Sequence, residues 1–199
     1  MHYFSGDFMV VSDNPSMWGR VSRALHWGLG TVMIGMIAYG WWTNHGPVRP
    51  DRFFYRSIHA GIGYALLLLT APRLCWRLVT AVPDLPSETP QWQRLAARLS
   101  HGAPYGFTML VALLGWAHSG AHQPDYADWF GLLRVPQFTS PDKAAAHQYQ
   151  DWHITSAYVL LALVAVHVAA ALYHHFMRRA GVTARMIGQR SRPPAADMA

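Results

Sequence analysis

The chain has 199 residues, enough for one domain, of which 52% are apolar and only 13% charged, about half the charged share usual in soluble domains. A single cysteine, Cys75, excludes an internal disulfide and cysteine-rich metal clusters, and no phosphate loop or dinucleotide fingerprint is present. The net charge of +6 would suit a nucleic-acid partner, but the basic residues flank apolar runs, the pattern of membrane orientation.

Residues 1–19 lack periodicity and read as a loose tail, with no cleavable signal pattern ahead of the first apolar run. That run, about 21–43, contains ALHWGLGTVMIGMIAYGWW; it is long enough to span a bilayer, and Trp41 and Trp42 close it as an aromatic belt. Gly46, Pro47 and Pro50 mark a short loop over 44–54. A second span covers about 55–79, with Pro72 expected to kink or thin its last turns. Pro83, Pro86 and Pro90 make a connection, and residues 91–100 (QWQRLAARLS) predict a short amphipathic helix on the membrane surface. The third span is about 101–120, with Pro104 near its start. A polar and aromatic loop follows over about 121–149. The fourth span, 152–177, carries WHITSAYVLLALVAVHVAAALYHH, and residues 178–199 form a basic tail with Arg178, Arg179, Arg185, Arg190 and Arg192.

The expected fold is therefore all-α, an integral membrane four-helix bundle, with residues 1–199 forming one membrane domain. Four spans put both termini on one side. Eleven of the sixteen Lys and Arg residues fall on that side, which predicts that both termini are cytoplasmic.

The histidines carry the chemistry. His153 and His167 lie fourteen residues apart on one helix, a rise of roughly 21 Å and a rotation about 40° short of four turns. They share one face, each toward a different side of the bilayer. With this topology His26 on the first helix is level with His167, and His59 on the second is level with His153. Two bis-histidine haem sites follow, His26 with His167 and His59 with His153, since neutral imidazole is an axial haem ligand. Without C-x-x-C-H, covalent attachment is excluded and the haems would be non-covalent. Gly61 and Gly63 after His59, and Ala169, Ala170 and Ala171 after His167, would let a flat macrocycle approach the backbone.

Arg23 precedes His26 by one turn, and Arg73 follows His59 by fourteen residues, level with His167. Both are placed to pair with haem propionates or to serve as positive-inside anchors. His101 could meet a quinone head group or a propionate, or cap the interface. Trp152, beside His153, could line a quinone or donor pocket or act as a belt aromatic. Arg49, Arg52 and Arg56 could steer an anion toward the site at the outer face, or be solvated loop charges. His118, His122 and His147 read as solvated.

The segments RALHW, SIHAGIG, RLCWRL, DWHITSAYVLLALVAVHVAAAL and YHHF resemble the bacterial cytochrome b561 family over roughly residues 18–188. The resemblance implies a multi-pass protein of the bacterial inner (plasma) membrane, two non-covalent b haems held by His26, His59, His153 and His167, and single-electron exchange with membrane quinone, ubiquinone in particular. It further implies a small-molecule or protein electron donor at the outer face, with superoxide used by some members, and hence a quinone oxidoreductase. Arg98 stands where the family often has a histidine ahead of His101. A b-type electron-transfer subunit of a hydrogenase or dehydrogenase complex is an alternative, and a histidine-rich metal transporter another. The absence of carboxylates within the spans speaks against the transporter.

Overall fold

The computed structural model describes residues 18–46, 51–79, 90–122, 126–177 and 186–187. Arg49, the basic residues of the tail, and the stretch before residue 18 lie outside the described residues. Among the described residues there are four long helices and one β-hairpin: α1 (Arg20–His45), α2 (Arg52–Val79), α3 (Gln91–His122), β1 (Tyr126–Trp129), β2 (Leu133–Pro136) and α4 (Lys143–Phe176).

Helix α1 starts after Gly19, whose carbonyl accepts from the Arg23 N–H, and stops at Gly46, whose N–H closes the last turn on Trp42 O. Pro72 lies inside α2, which continues to Val79. Helix α3 differs from expectation. The surface helix expected over 91–100 and the span expected over 101–120 are one continuous element, with Pro104 inside it. The amphipathic and apolar stretches share the 3.6-residue period, and no helix-breaking residue stands at their junction, Ser100–His101. The Thr108 hydroxyl returns a hydrogen bond to Pro104 O at 2.7 Å.

The loop expected over 121–149 is largely structured. Strands β1 and β2 pair antiparallel, Tyr126 opposite Pro136 and Trp129 opposite Leu133. Between them Phe130 (φ 54°) and Gly131 (φ 71°) take left-handed conformations, and Leu132 N–H closes the turn on Trp129 O at 2.9 Å. A left-handed Phe costs about 1–2 kcal/mol; its ring lies on the backbone of Gly61 in α2, where a Cβ would collide with it. Gly61 is thus the seat of Phe130. Trp129 Nε1 donates to Gly61 O (2.8 Å), Trp116 Nε1 to Pro136 O (3.0 Å) and Thr139 Oγ1 to Ala117 O (2.8 Å). The hairpin therefore ties α2 to α3. Helix α4 begins nine residues ahead of the expected span because Asp142 caps it, its carboxylate accepting from the Ala144 and Ala145 N–H groups.

Helix α3 packs along α4, α2 packs against α1 and α3, and α1 meets α4 only sparsely. The interior is thin: Met36, Leu66, Ala117, Ala121, Ala127, Ala146 and Leu160 are its buried apolar residues. Large apolar side chains instead face outward along the helices, among them Ile34, Leu68, Leu69, Val166, Val168 and Leu172. Such a surface is suited to lipid. Helices α2 and α4 are long and apolar enough to cross a membrane; in α1 and α3 glycine, histidine and tryptophan dilute the apolar run.

Candidate haem sites

Each of the four helices places one residue at each of two levels, and in every helix the two residues are fourteen apart. Near the hairpin stand Gly40 of α1, His59 of α2, Gly115 of α3 and His153 of α4. Near the start of α1 and the end of α4, the termini level, stand His26, Arg73, His101 and His167.

At the hairpin level the His59 and His153 ring centroids are 6.0 Å apart. At the termini level His26 and His167 are 6.1 Å apart. With a metal–imidazole bond of about 2 Å and a ring centre about 1.1 Å behind the nitrogen, two imidazoles on opposite sides of one metal have centroids about 6 Å apart. Both separations match that span. The helices that carry these pairs, α1 with α4 and α2 with α4, make little direct contact, so each pair bridges a gap and not a packed seam.

The surroundings of each ring are specific. His153 Nδ1 donates to Val111 O of α3 at 2.8 Å. A carbonyl can only accept, so the proton is on Nδ1 and the Nε2 lone pair is free to ligate. Gly115, one turn beyond Val111, permits this approach: a Cβ there would stand 3.1 Å from His153 Cε1. Gly40 does the same for His59, where a Cβ would be 2.8 Å from Cε1. His59 Nδ1 is buried without a partner among the described residues. Tyr39 stacks on the His59 ring at 6.2 Å and donates its hydroxyl to Tyr55 O.

At the termini level Arg73 Nη1 donates to Ser22 O (3.2 Å), and its guanidinium lies over the Tyr105 ring (5.3 Å). Trp76 Nε1 donates to the buried Ser22 hydroxyl, joining α2 to α1. Arg73, His101 and His167 are all within electrostatic reach of His26. Arg23 has a buried Nε without a partner among the described residues, and with Arg20, Trp27, Met186 and Ile187 it lines a cleft of about 480 Å³. An orphaned guanidinium nitrogen beside a histidine pair fits the carboxylate of a propionate. His101 is 5.2 Å from His167, between α3 and α4, nearer than expected for an interfacial residue.

The other predicted residues are more peripheral. Trp152 is half exposed and meets Tyr149 (6.2 Å). Arg52 is half-buried and Arg56 exposed at the start of α2. Gly63 faces open space, and Ala169 and Ala170 are exposed. The residues the sequence reading missed are Tyr39, Gly40, Val111 and Gly115. The signal for both glycines was available: each lies fourteen residues after a histidine, Gly40 after His26 and Gly115 after His101.

A helical bundle with stacked histidine pairs and an apolar exterior has the framework of a membrane b-type cytochrome. The comparisons with known proteins agree. Residues 17–189 match the family described as prokaryotic cytochrome b561, and the chain belongs to that family. It is 30% identical over 186 residues to cytochrome b561 homolog 2 of Escherichia coli (strain K12), covering 92% of this chain and 97% of that protein. It is 27% identical over 176 residues to cytochrome b561 homolog 1 of the same organism, covering 83% and 94%. The protein is thus a b-type haem membrane electron-transfer protein of bacterial type.

Proposed function

We propose that the chain is a di-haem quinone oxidoreductase of the bacterial inner membrane. Its four helices span the bilayer as one domain, with both termini in the cytoplasm and the hairpin at the outer face. His26 and His167 hold one haem, and His59 and His153 the other. Haem b would supply a one-electron couple there, and histidine ligation by these four residues would suit it to electron transfer rather than oxygen binding. The observation that supports the reading is the pair of ring-centroid separations, 6.0 and 6.1 Å, on helices that otherwise keep apart.

The chain's own residues divide the remaining work. Val111 O holds the His153 tautomer, and Gly40 and Gly115 admit the two rings of that level. Arg23 and Arg73 neutralise propionates. Arg52 and Arg56, with Arg49, draw an anionic donor such as superoxide toward the hairpin level. Membrane ubiquinone is the acceptor, with His101 beside His167 and the exposed Trp152 beside His153 as the two positions offered to its head group.

The test is a pyridine haemochrome count with oxidised and reduced spectra on the full chain in detergent. Two low-spin b haems per chain are expected. His59→Ala and His26→Ala should each leave one, with different remaining spectra. A single haem in the parent, or variants that lose nothing, would overturn the assignment. Reduction by superoxide and oxidation by ubiquinone, followed at the haem band, test donor and acceptor separately.

A further inference from the structure

A second histidine arrangement, outside the haem levels, closes helix α3. His118 and His122 are one turn apart at the hairpin end, and their ring centroids are 4.5 Å apart. Two imidazoles bound at right angles to one metal have centroids about 4.5 Å apart, given a bond of about 2 Å and a ring centre about 1.1 Å behind the nitrogen. The pair therefore has the spacing of adjacent ligands on one ion, just as the haem pairs have the spacing of opposite ligands.

The hydrogen bonds set both rings in the ligating form. His118 Nδ1 donates to Ala146 O of α4 at 3.0 Å, and His122 Nδ1 donates to His118 O at 3.2 Å. Since each acceptor is a backbone carbonyl, each proton is on Nδ1 and each Nε2 keeps its lone pair. A ligating histidine whose other nitrogen is held by a carbonyl is the usual support of a metal site. Histidines at i and i+4 on one helix face also form the bidentate part of helical zinc motifs. The end of α3 is itself fixed, because Asp142 N–H donates to Ala121 O. His45, at the end of α1, makes the same type of bond to Trp41 O (3.0 Å) but stacks on Trp41, and so serves as an internal control.

We propose that His118 and His122 bind a borderline divalent transition-metal ion, of the zinc, copper or nickel class, at the hairpin end of the bundle. Imidazole nitrogen selects these ions over magnesium and calcium. Among the described residues no group of three or more His, Cys, Asp or Glu side chains gathers around one point, so water completes the coordination sphere and the ion exchanges with the adjoining aqueous phase. Arg56 and His153 act electrostatically on His118; Arg56 is itself a cation, so the two Nε2 lone pairs hold the ion against that charge.

The experiment is isothermal titration of zinc chloride into the haem-loaded full chain, made without a histidine tag, with copper EPR as a second readout. The parent should bind one zinc ion that His122→Ala loses, with affinity falling by more than the roughly 10–100-fold that loss of a supporting hydrogen-bond partner costs. His118→Ala should lose the same ion, and His45→Ala should retain it. Copper in the parent should show splitting from two nitrogens. The exposed His122 decides the matter if His118→Ala disturbs folding. No zinc binding by the parent, or unchanged binding by His122→Ala, would overturn the proposal.

Discussion

The finest discrimination in the candidate haem sites rests on two glycines. Neither Gly40 nor Gly115 occupies a turn; each is helical and is small because an imidazole lies against it. Alanine at Gly40 would put a carbon 2.8 Å from His59 Cε1, and alanine at Gly115 one 3.1 Å from His153 Cε1. Gly40→Ala should therefore lower haem retention at the hairpin level more than Gly115→Ala, by about 10–100-fold in affinity. The spectrum of the other level should stay intact; haem titration with redox-difference spectra checks both. His101→Ala tests the termini level differently. His101 stands 5.2 Å from His167, short of the trans span that His26 meets at 6.1 Å, so its loss should leave two haems bound, whereas His26→Ala should not.

At the scale of elements, the hairpin and the start of α4 make distinct predictions. Gly61→Ala should displace the Phe130 ring, and limited proteolysis should then cut within 126–136 faster than in the parent. Asp142→Ala removes a helix cap, at a cost of about 1 kcal/mol, and should lower Tm by about 2–4 °C in a chain of this size. These are also the elements least legible in the sequence. The four histidines could be paired by depth because helical rise and rotation are fixed numbers. The hairpin could not be foreseen, since its turn puts Phe130 where local preference opposes it, and the compensating contact is with Gly61, far away in the chain. The α4 cap was legible in principle: Ser140, Pro141 and Asp142 before a run of alanines is an N-terminal signature. Hydropathy alone hid it, because the first turns of α4 are polar. In α3 the change from an amphipathic to an apolar stretch near residue 101 reads as a boundary, but the backbone runs through it as one helix.

On the whole-molecule scale, the exposed apolar side chains and thin interior make the chain dependent on a nonpolar surrounding. Removal of detergent should cause aggregation before loss of helix, which light scattering and far-UV circular dichroism would separate. The equal interval between the two levels has a further consequence. Fourteen residues are two heptads, and a straight helix drifts by about 20° per heptad from that repeat. Four helices that keep the interval stay in phase when they wind around one another with a left-handed supercoil. The levels are locked by rotation as well as by height. Two residues inserted between His153 and His167 should turn one of them by about 200°, off the common axis, and cost a haem. Seven inserted in every helix should keep both haems, set them about 10 Å further apart, and slow electron exchange between them.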